Sequence, residues 1–460
     1  MTDKRNTTKL KQFRLQVYQN FSKRADTLMN LVDALCSYRN ASSVVEFSLA
    51  EHFPRGHDAL FKAISEWEWQ DNHLAKLASD HLPKPKKRSF WLLGTDVTPQ
   101  PRASSHTLED RGFVYYPTVI RGNKPITIGH QYSTVVLHPE EEAQPSSWVA
   151  PLSNQRIRSY EDKEIVGAKQ MNTLLSDEKL PFHGQLCVEV EDSSYSKPAY
   201  LSANRHHKSL VTITRSRSNR IYYHMPDSEM VSDSAGHPTW YGERFSLQYQ
   251  ETWHKPDEEV TTTYTNCRGR AYKVVIQSWH NMFMRGKRKP YPMPMHKHPF
   301  TLVKICLYDE NCELVFQRPL WLLVIGERRH ELDLLDIYEA YTQRFDIEHF
   351  FRFGKQKLLL DSFQTPIVAH EEAWWQLVHL AYLQLWVARD SAESLPRPWE
   401  KSLPNANKRI TPTYVQRDMG RIIRQIGTPA SIPKRRGYSP GWPKGKNRAL
   451  RKRLAVVKKT

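Results

Sequence analysis

The sequence predicts an α/β protein: a mixed sheet with flanking helices, interrupted by a β-rich insertion, preceded by a small helical domain and followed by a basic tail. Three observations predict it. SFWLLGTD (89–96) is a short apolar run closing on an Asp, as in a buried central strand, and HGQLCVEVED (183–192) reads as another strand ending on Asp192. From about 200 to 318 the chain turns rich in β-branched and aromatic residues with frequent turns. After Asp418 no acidic residue occurs, and the last 42 positions hold 13 Lys and Arg.

Within residues 1–85, LMNLVDALC, SSVVEFSL and HDALFKAISEW supply short helical periodicities, with helix starts at Ser42 or Ser43 and at His57-Asp58. LPKPKKR (82–88) is a Pro- and Lys-rich linker and marks the first boundary. Residues 86–200 form the first part of the core. SFWLLGTD, GFVYYPTVI and ITIGHQYSTVVLH are its early strands, 164–179 a helix, and HGQLCVEVED a later strand. The insertion, 201–318, contains VTITRSRSNRIYYH, EEVTTTYT, YKVVIQSW and FTLVKICLYD. The core resumes over 319–395, where helix signals return at 331 and HEEAWWQLVHLAYLQLWVARD (370–390) reads as a strongly apolar helix. Residues 396–460 are Pro-rich and basic.

At 460 residues the chain is too long for one ordinary domain, and 39% hydrophobic content is ample for a core. The net charge is +18; with 13 positive charges in the tail, the remainder carries +5. Such a tail fits an electrostatic arm for nucleic acid. Cysteines at 36, 187, 267, 306 and 312 show no CxxC pair and read as buried thiols of a reducing cytosol. The polar start lacks the apolar segment of a signal peptide, and no run approaches the ~20 apolar residues of a membrane span. The expectation is a soluble cytoplasmic protein.

The most informative stretch is YTQRFDIEHFFRFGK. Read as one helix at roughly 100° per residue, Tyr341, Arg344, Glu348 and Lys355 fall within one ~60° arc. Ile347, Phe350, Phe351, Gly354 and Leu358 form a separate apolar face. Asp346, His349 and Arg352 read as a solvated flank. A carboxylate between cations and a phenol packs poorly but suits metal ions and phosphates together.

This spacing resembles the Y-R-E-K signature of bacterial insertion-sequence DDE transposases, whose catalytic core is RNase H-like. The resemblance implies three metal-binding carboxylates: Asp96 in GTDVTP, Asp192 in EDSSYSKPAYL with Tyr195 three positions on, and Glu348. Glu189 and Glu191 are alternatives to Asp192 if the strand register differs. Two Mg²⁺ ions, with Mn²⁺ as a possible substitute, would lie ~3.5–4 Å apart. Tyr341 and Arg344 would contact phosphates near the cleaved bond, and Lys355 would hold a phosphate as a point charge. Trp321, in PLWLLVIG, either stacks on a flipped base during a hairpin step or fills the core. Arg215, Arg217 and Arg220 alternate along a strand and could line a phosphate path. Arg285, Lys287, Arg288 and Lys289 read as a solvated loop, and RGYSPGWPKGK in the tail as a loose minor-groove motif.

The function so implied is cut-and-paste transposition. The protein would bind terminal inverted repeats, hydrolyse phosphodiesters with two metals and join 3′-OH ends to target DNA. Its partners would be double-stranded DNA and a second copy in the synaptic complex, near the nucleoid. The N-terminal helices suit a DNA-binding unit, although periodicity does not separate a helix-turn-helix from an ordinary bundle. The alternatives are a transposase-derived regulator without catalysis and a structure-specific nuclease of the same fold.

Overall fold

The computed structural model describes residues 4–69, 73–116, 125–140, 147–226, 240–266, 268–286, 295–393, 410–434 and 452–458. In chain order the elements are α1 (Lys4–Asn20), α2 (Ala25–Ser37), α3 (His57–Glu66), α4 (His73–Ser79), β1 (Trp91–Pro101), β2 (Gly112–Tyr115), β3 (Ile126–His138), β4 (Ala150–Ile157), α5 (Lys163–Leu175), β5 (Cys187–Glu191), α6 (Pro198–Ala203), β6 (Leu210–Ser216), β7 (Ile221–Tyr223), β8 (Arg244–Ser246), β9 (Glu258–Thr265), β10 (Ala271–Met282), β11 (Phe300–Tyr308), β12 (Leu320–Ile325), α7 (Leu334–Gln343), α8 (Asp346–Lys357), α9 (Val368–Ala388) and α10 (Pro412–Ile426). They form two compact units. One comprises Met1–Pro83, Val97–Lys163 and Asp346–Thr460; the other comprises Lys84–Asp96 and Glu164–Phe345. Both are discontinuous in sequence, unlike the consecutive segments read above.

In the second unit the strand order is β1-β5-β6-β12-β11-β10-β9. β5 pairs in parallel with β1 and with β6, and the later pairs are antiparallel. Side-chain alternation sorts the two faces. Leu92, Val188, Val190, Val211, Ile213, Leu322 and Val324 pack with Leu334, Ile337 and Tyr341 of α7. Trp321, Leu323 and Ile325 pack instead with Trp279, Tyr195 and Tyr200. Although β6 falls inside 201–318, it is an interior strand of this sheet, and β9 to β11 extend the same sheet. The β-rich block therefore does not stand outside the sheet: LVTITRS is buried except at Arg215, so both of its edges find partners. Gly326 follows β12 at φ 153°, and a Cβ there would lie 2.5 Å from the Leu210 carbonyl oxygen. Only glycine lets the backbones pass so closely.

In the first unit α9 is mostly apolar and is buried around its whole circumference from residue 373 to 388. It packs with α1, α2, α3 and α10. The N-terminal helices thus share a core with the helices after the signature. The buried Asp33 carboxylate ties them together by accepting from Arg14 at 2.6 Å, Gln384 at 3.1 Å and Thr428 at 3.2 Å. In this unit β3 pairs with β2 through Ile126–Gly129 and with β4 through Gln131–Leu137.

Three expectations change. β1 does not stop at Asp96 but runs to Pro101, with Thr98 and Gln100 buried beyond it. The basic tail contains α10, an amphipathic helix burying Val415, Met419, Ile422 and Ile423, and Thr411 caps its start. Near the C-terminus Leu454 N–H donates to His106 O and Val457 N–H to Arg111 O, so this short part lies against the residues between β1 and β2. Residues 396–409 and 435–451, RGYSPGWPKGK among them, lie outside the described residues, as do Lys287, Arg288 and Lys289. Cys36, Cys187 and Cys306 are buried, whereas Cys312 is exposed; Cys267 is not among the described residues. Among the described residues no helix is long and apolar enough to cross a membrane.

Glu371 of α9 anchors a buried polar knot. Arg102 donates to it at 2.6 Å and Tyr132 at 2.9 Å, and His130 Nδ1 lies 2.7 Å away. Burial pushes this carboxyl up, but His130 and Arg102 outweigh burial and hold it below its ordinary value of 4.5. Glu371→Gln is expected to cost about 3–5 kcal/mol, because it leaves the Arg102 charge buried and unpaired. A depressed carboxyl gives stability that is present above its unfolded value and lost on acidification. The gap between wild type and variant in urea midpoints should therefore narrow as pH falls below about 4.5; a pH-independent gap contradicts the assignment.

Candidate active site

β1, β5 and β6 are neighbours running in the same direction, so their C-terminal ends lie together. The last paired positions of β1 and β5 are Gly94 and Val190. Asp96 and Asp192 each lie two residues further on, and adjacent strands are spaced about 4.8 Å apart. On the other side Glu191 pairs with Thr214, so Asp192 falls level with Arg215. Counting by twos from Leu92, Val188 and Val211 puts Asp96, Asp192 and Arg215 on the face that α7 covers. The result is a row, Asp96–Asp192–Arg215, across three strand ends. Asp96 and Asp192 are half-buried and Arg215 is exposed.

Asp192 caps the short turn Ser193–Tyr195 by accepting from Ser194 N–H at 2.7 Å and Ser194 Oγ at 2.5 Å. Its backbone carbonyl accepts from Thr214 Oγ1 at 2.8 Å, which clamps β6 to the turn. Tyr195 is fully buried behind it; burial first, then Glu191, Asp96 and Asp192, push its hydroxyl well above the usual value. Both aspartates therefore bear on this hydroxyl.

Tyr341 joins the row from α7. It is buried in the apolar cluster, so the phenol is a packing residue as well as a polar one. Burial raises its hydroxyl; Arg344 and Arg215 pull it down and Asp192 pushes it up. The Arg344 guanidinium lies 5.8 Å from the Tyr341 ring centre and 4.7 Å from that of Phe345. Asp96, Asp192, Arg215, Tyr341 and Arg344 are thus brought into one neighbourhood.

The single signature helix is not found. α7 ends at Gln343, Arg344 is its C-cap, and α8 begins at Asp346. The Arg344 N–H bonds to Tyr341 O and the Phe345 N–H to Thr342 O, both i→i+3 contacts that tighten and close the last turn. Acidic Asp346 and Glu348 then occupy the first turn of α8, where the helix dipole favours them. Glu348 and Lys355 remain on one helix, seven residues apart and on one face. Glu348 is exposed, and Lys355 Nζ lies 3.9 Å from Asp361. They belong to the first unit, whereas Tyr341 and Arg344 belong to the second. Ile347, Phe350, Phe351, Gly354 and Leu358 are buried as expected, but Asp346 is buried too.

Arg217 follows β6 and Arg220 lies in the turn before β7; both are exposed. Trp321 sits on β12 at 1% exposure, within an aromatic cluster that includes Trp253, Trp279 and Phe245.

Glu189 and Glu191, the alternatives to Asp192, have a structural place of their own. They are 1% and 0% exposed, on the face away from α7. Glu191 accepts from the Thr95 N–H at 2.8 Å; Glu189 accepts from the Tyr200 hydroxyl and, at 3.3 Å, from Thr212. Burial pushes both carboxyls up, Glu191 further because Glu189 and Asp192 stand beside it. α5 closes over them at Gly167, where a Cβ would meet Thr95 at 3.3 Å and Tyr195 at 3.4 Å. The alternation in EVED was the available signal. Among the described residues no three His, Cys, Asp or Glu side chains are grouped to hold a metal ion. Asp96 and Asp192 contribute oxygen donors of the kind magnesium takes.

Asp96 and Asp192 at neighbouring parallel strand ends, with Arg215 beside them, set oxygen donors and a cation together. The DDE superfamily endonuclease family matches residues 16–283, 268 of the 460 residues, and the chain belongs to it. Membership implies a nuclease- or transposase-type enzyme that acts on DNA, and such enzymes generally use divalent metal ions. The match includes Asp96 and Asp192 and ends before Trp321 and the signature. No curated protein matches the chain.

The burial of Trp321 yields a direct expectation. Trp321→Ala should cost about 3–5 kcal/mol by opening a cavity, and Trp321→Phe should recover part of it. DNA nicking should fall only in proportion to folded protein, as read from melting and cleavage of the same preparations. A stable Ala variant that nicks one strand normally but fails on the second would instead support a base-stacking role.

Proposed function

We propose that this chain is an insertion-sequence transposase. It binds the terminal inverted repeats of its element, cleaves there and joins the freed 3′-OH ends to target DNA by cut-and-paste. The row Asp96–Asp192–Arg215 carries this reading, since it sets two carboxylates beside a cation at the ends of parallel strands. Family membership and the Y-R-E-K spacing support it.

In this reading Asp96 and Asp192 would hold the divalent metal, Mg²⁺ or Mn²⁺, with Glu348, taken from the signature, as the third carboxylate. When bound there, divalent cations would supply activation of the attacking oxygen and charge stabilisation of the leaving one. Arg344 presents a planar fork to a phosphate near the scissile bond, with Arg215 and the Tyr341 hydroxyl beside it. Lys355 supplies a point charge, and Arg217 and Arg220 continue the phosphate path. Two copies act together on paired ends.

The test is excision from a donor plasmid carrying the inverted repeats that flank the gene. Release of the element and its joining to a target support the proposal. End binding without nicking points to a regulator, and cleavage that follows DNA structure but ignores the ends points to a nuclease; either outcome sinks it.

Asp96→Asn, Asp192→Asn and Glu348→Gln are each expected to lower cleavage by on the order of 10³-fold. This corresponds to the loss of several kcal/mol of transition-state stabilisation. Affinity for the ends should stay within a few-fold. A variant that nicks at wild-type rate in Mg²⁺ removes that residue from the site.

A further inference from the structure

At the opposite end of β6 from Arg215, a recess of about 340 Å³ opens between the start of β6, the residues before β11 and the turn after β12. Its lining includes Arg205, His207, Lys297, His298, Glu327 and Arg329. Three cations therefore face one carboxylate, and Glu327 lies 3.9 Å from Lys208. The positive charge is in excess.

Two of the cations are also partly withdrawn from water. Arg329 is half-buried and donates only to neutral acceptors among the described residues, Gly326 O at 3.1 Å and Asn281 Oδ1 at 3.0 Å. Burial alone lowers it from its ordinary value. Arg205 donates to Ile325 O at 2.8 Å and Thr212 Oγ1 at 2.7 Å, and burial pushes it down to about 10 despite the nearby Glu189. The His298 ring is lowered by burial, then by Arg205, His296 and Lys297. Taking a cation out of water is costly unless an anion compensates it. A recess lined by planar guanidinium groups and a lysine matches a tetrahedral oxyanion in charge and in donor geometry.

We propose that this recess binds a phosphate group, either a phosphodiester of DNA or a free phosphomonoester. It is separate from the acidic row, which lies at the other end of the same strands.

The full-length protein is titrated with a short fluorescein-labelled duplex of arbitrary sequence over a range of salt. Separately, it is melted in inorganic phosphate and in chloride at matched ionic strength. Lys297→Glu, Arg329→Gln and a control, Lys179→Glu at an exposed lysine outside the recess, are compared with wild type. Lys297 needs no refolding of its surroundings, so it tests the idea even if Arg329→Gln melts low. For a phosphodiester, Lys297→Glu weakens duplex binding about three- to tenfold and lowers the salt slope by about 0.9, while Lys179→Glu does neither. For a small phosphate, wild type melts higher in phosphate than in chloride, both recess variants lose that rise, and duplex binding is unchanged. Unchanged binding, slope and melting, or an equal effect of Lys179→Glu, overturns the proposal. Because every readout is of binding or melting, the result stands apart from whether the protein cleaves.

Discussion

The pairing of β1 with β5 in the register Gly94 to Val190 is the constraint on which the site depends. A one-residue slip in β5 would turn Asp192 away from α7 and bring Glu191 to that face, because side chains alternate. The register is held from both faces. On one, Leu92, Val188 and Val190 belong under α7. On the other, Glu191 takes the Thr95 N–H just where the strand pairing ends, and Glu189 takes Tyr200 and Thr212. Two glutamates in a fully buried five-residue strand oppose strand formation in themselves. They persist because their oxygens are bonded and because burial drives both carboxyls toward the neutral form.

That arrangement separates two kinds of acid on one strand. Glu189 and Glu191 are sealed beneath α5 and α6 and act on backbone and hydroxyl groups. Asp192, one residue later, emerges half-buried beside Arg215 and the Tyr341 hydroxyl. Tyr341 shows how the two layers are joined: its ring is part of the α7 packing against the sheet, while its hydroxyl feels Arg344, Arg215 and Asp192.

Much of this was legible in the chain, for local reasons. SFWLLG and the long, mostly apolar α9 announce themselves by apolar character, CVEVE by its alternation, and Asp96 and Asp192 by following such runs. What was not legible depends on partners. The helical period runs without a break from Tyr341 to Lys355, and neither Arg344 nor Phe345 is a helix breaker, yet the helix closes there with i→i+3 bonds. α10 is hidden by its setting, since Val415, Met419, Ile422 and Ile423 sit in a stretch whose basic and Pro-rich composition reads as tail. The role of β6 as an interior strand follows from β5 and β12 on either side of it, and local pattern carries no record of neighbours. For Trp321 the sequence left stacking and packing open, and only the surrounding Trp253, Trp279 and Phe245 favour packing.

Charge along β6 gives the second unit a polarity. Arg215 and the acidic row stand at one end, and the cationic recess beside Leu210 stands at the other. Five residues at about 3.3 Å each separate these ends by roughly 17 Å. Along a duplex strand, phosphates recur about every 3.4 Å of helix axis, so this span corresponds to about five base pairs, or half a turn. Two carboxylates repel a polyanion, and outside the basic tail the chain carries a net charge of only +5. Purely diffuse attraction is therefore a weak means of bringing DNA to such a site. Arg215 and Arg344 stand close to the acids and offset that repulsion where it acts, whereas Arg205, Lys297 and Arg329 stand at the far end, beyond the roughly 8–10 Å over which exposed charges are felt at physiological salt.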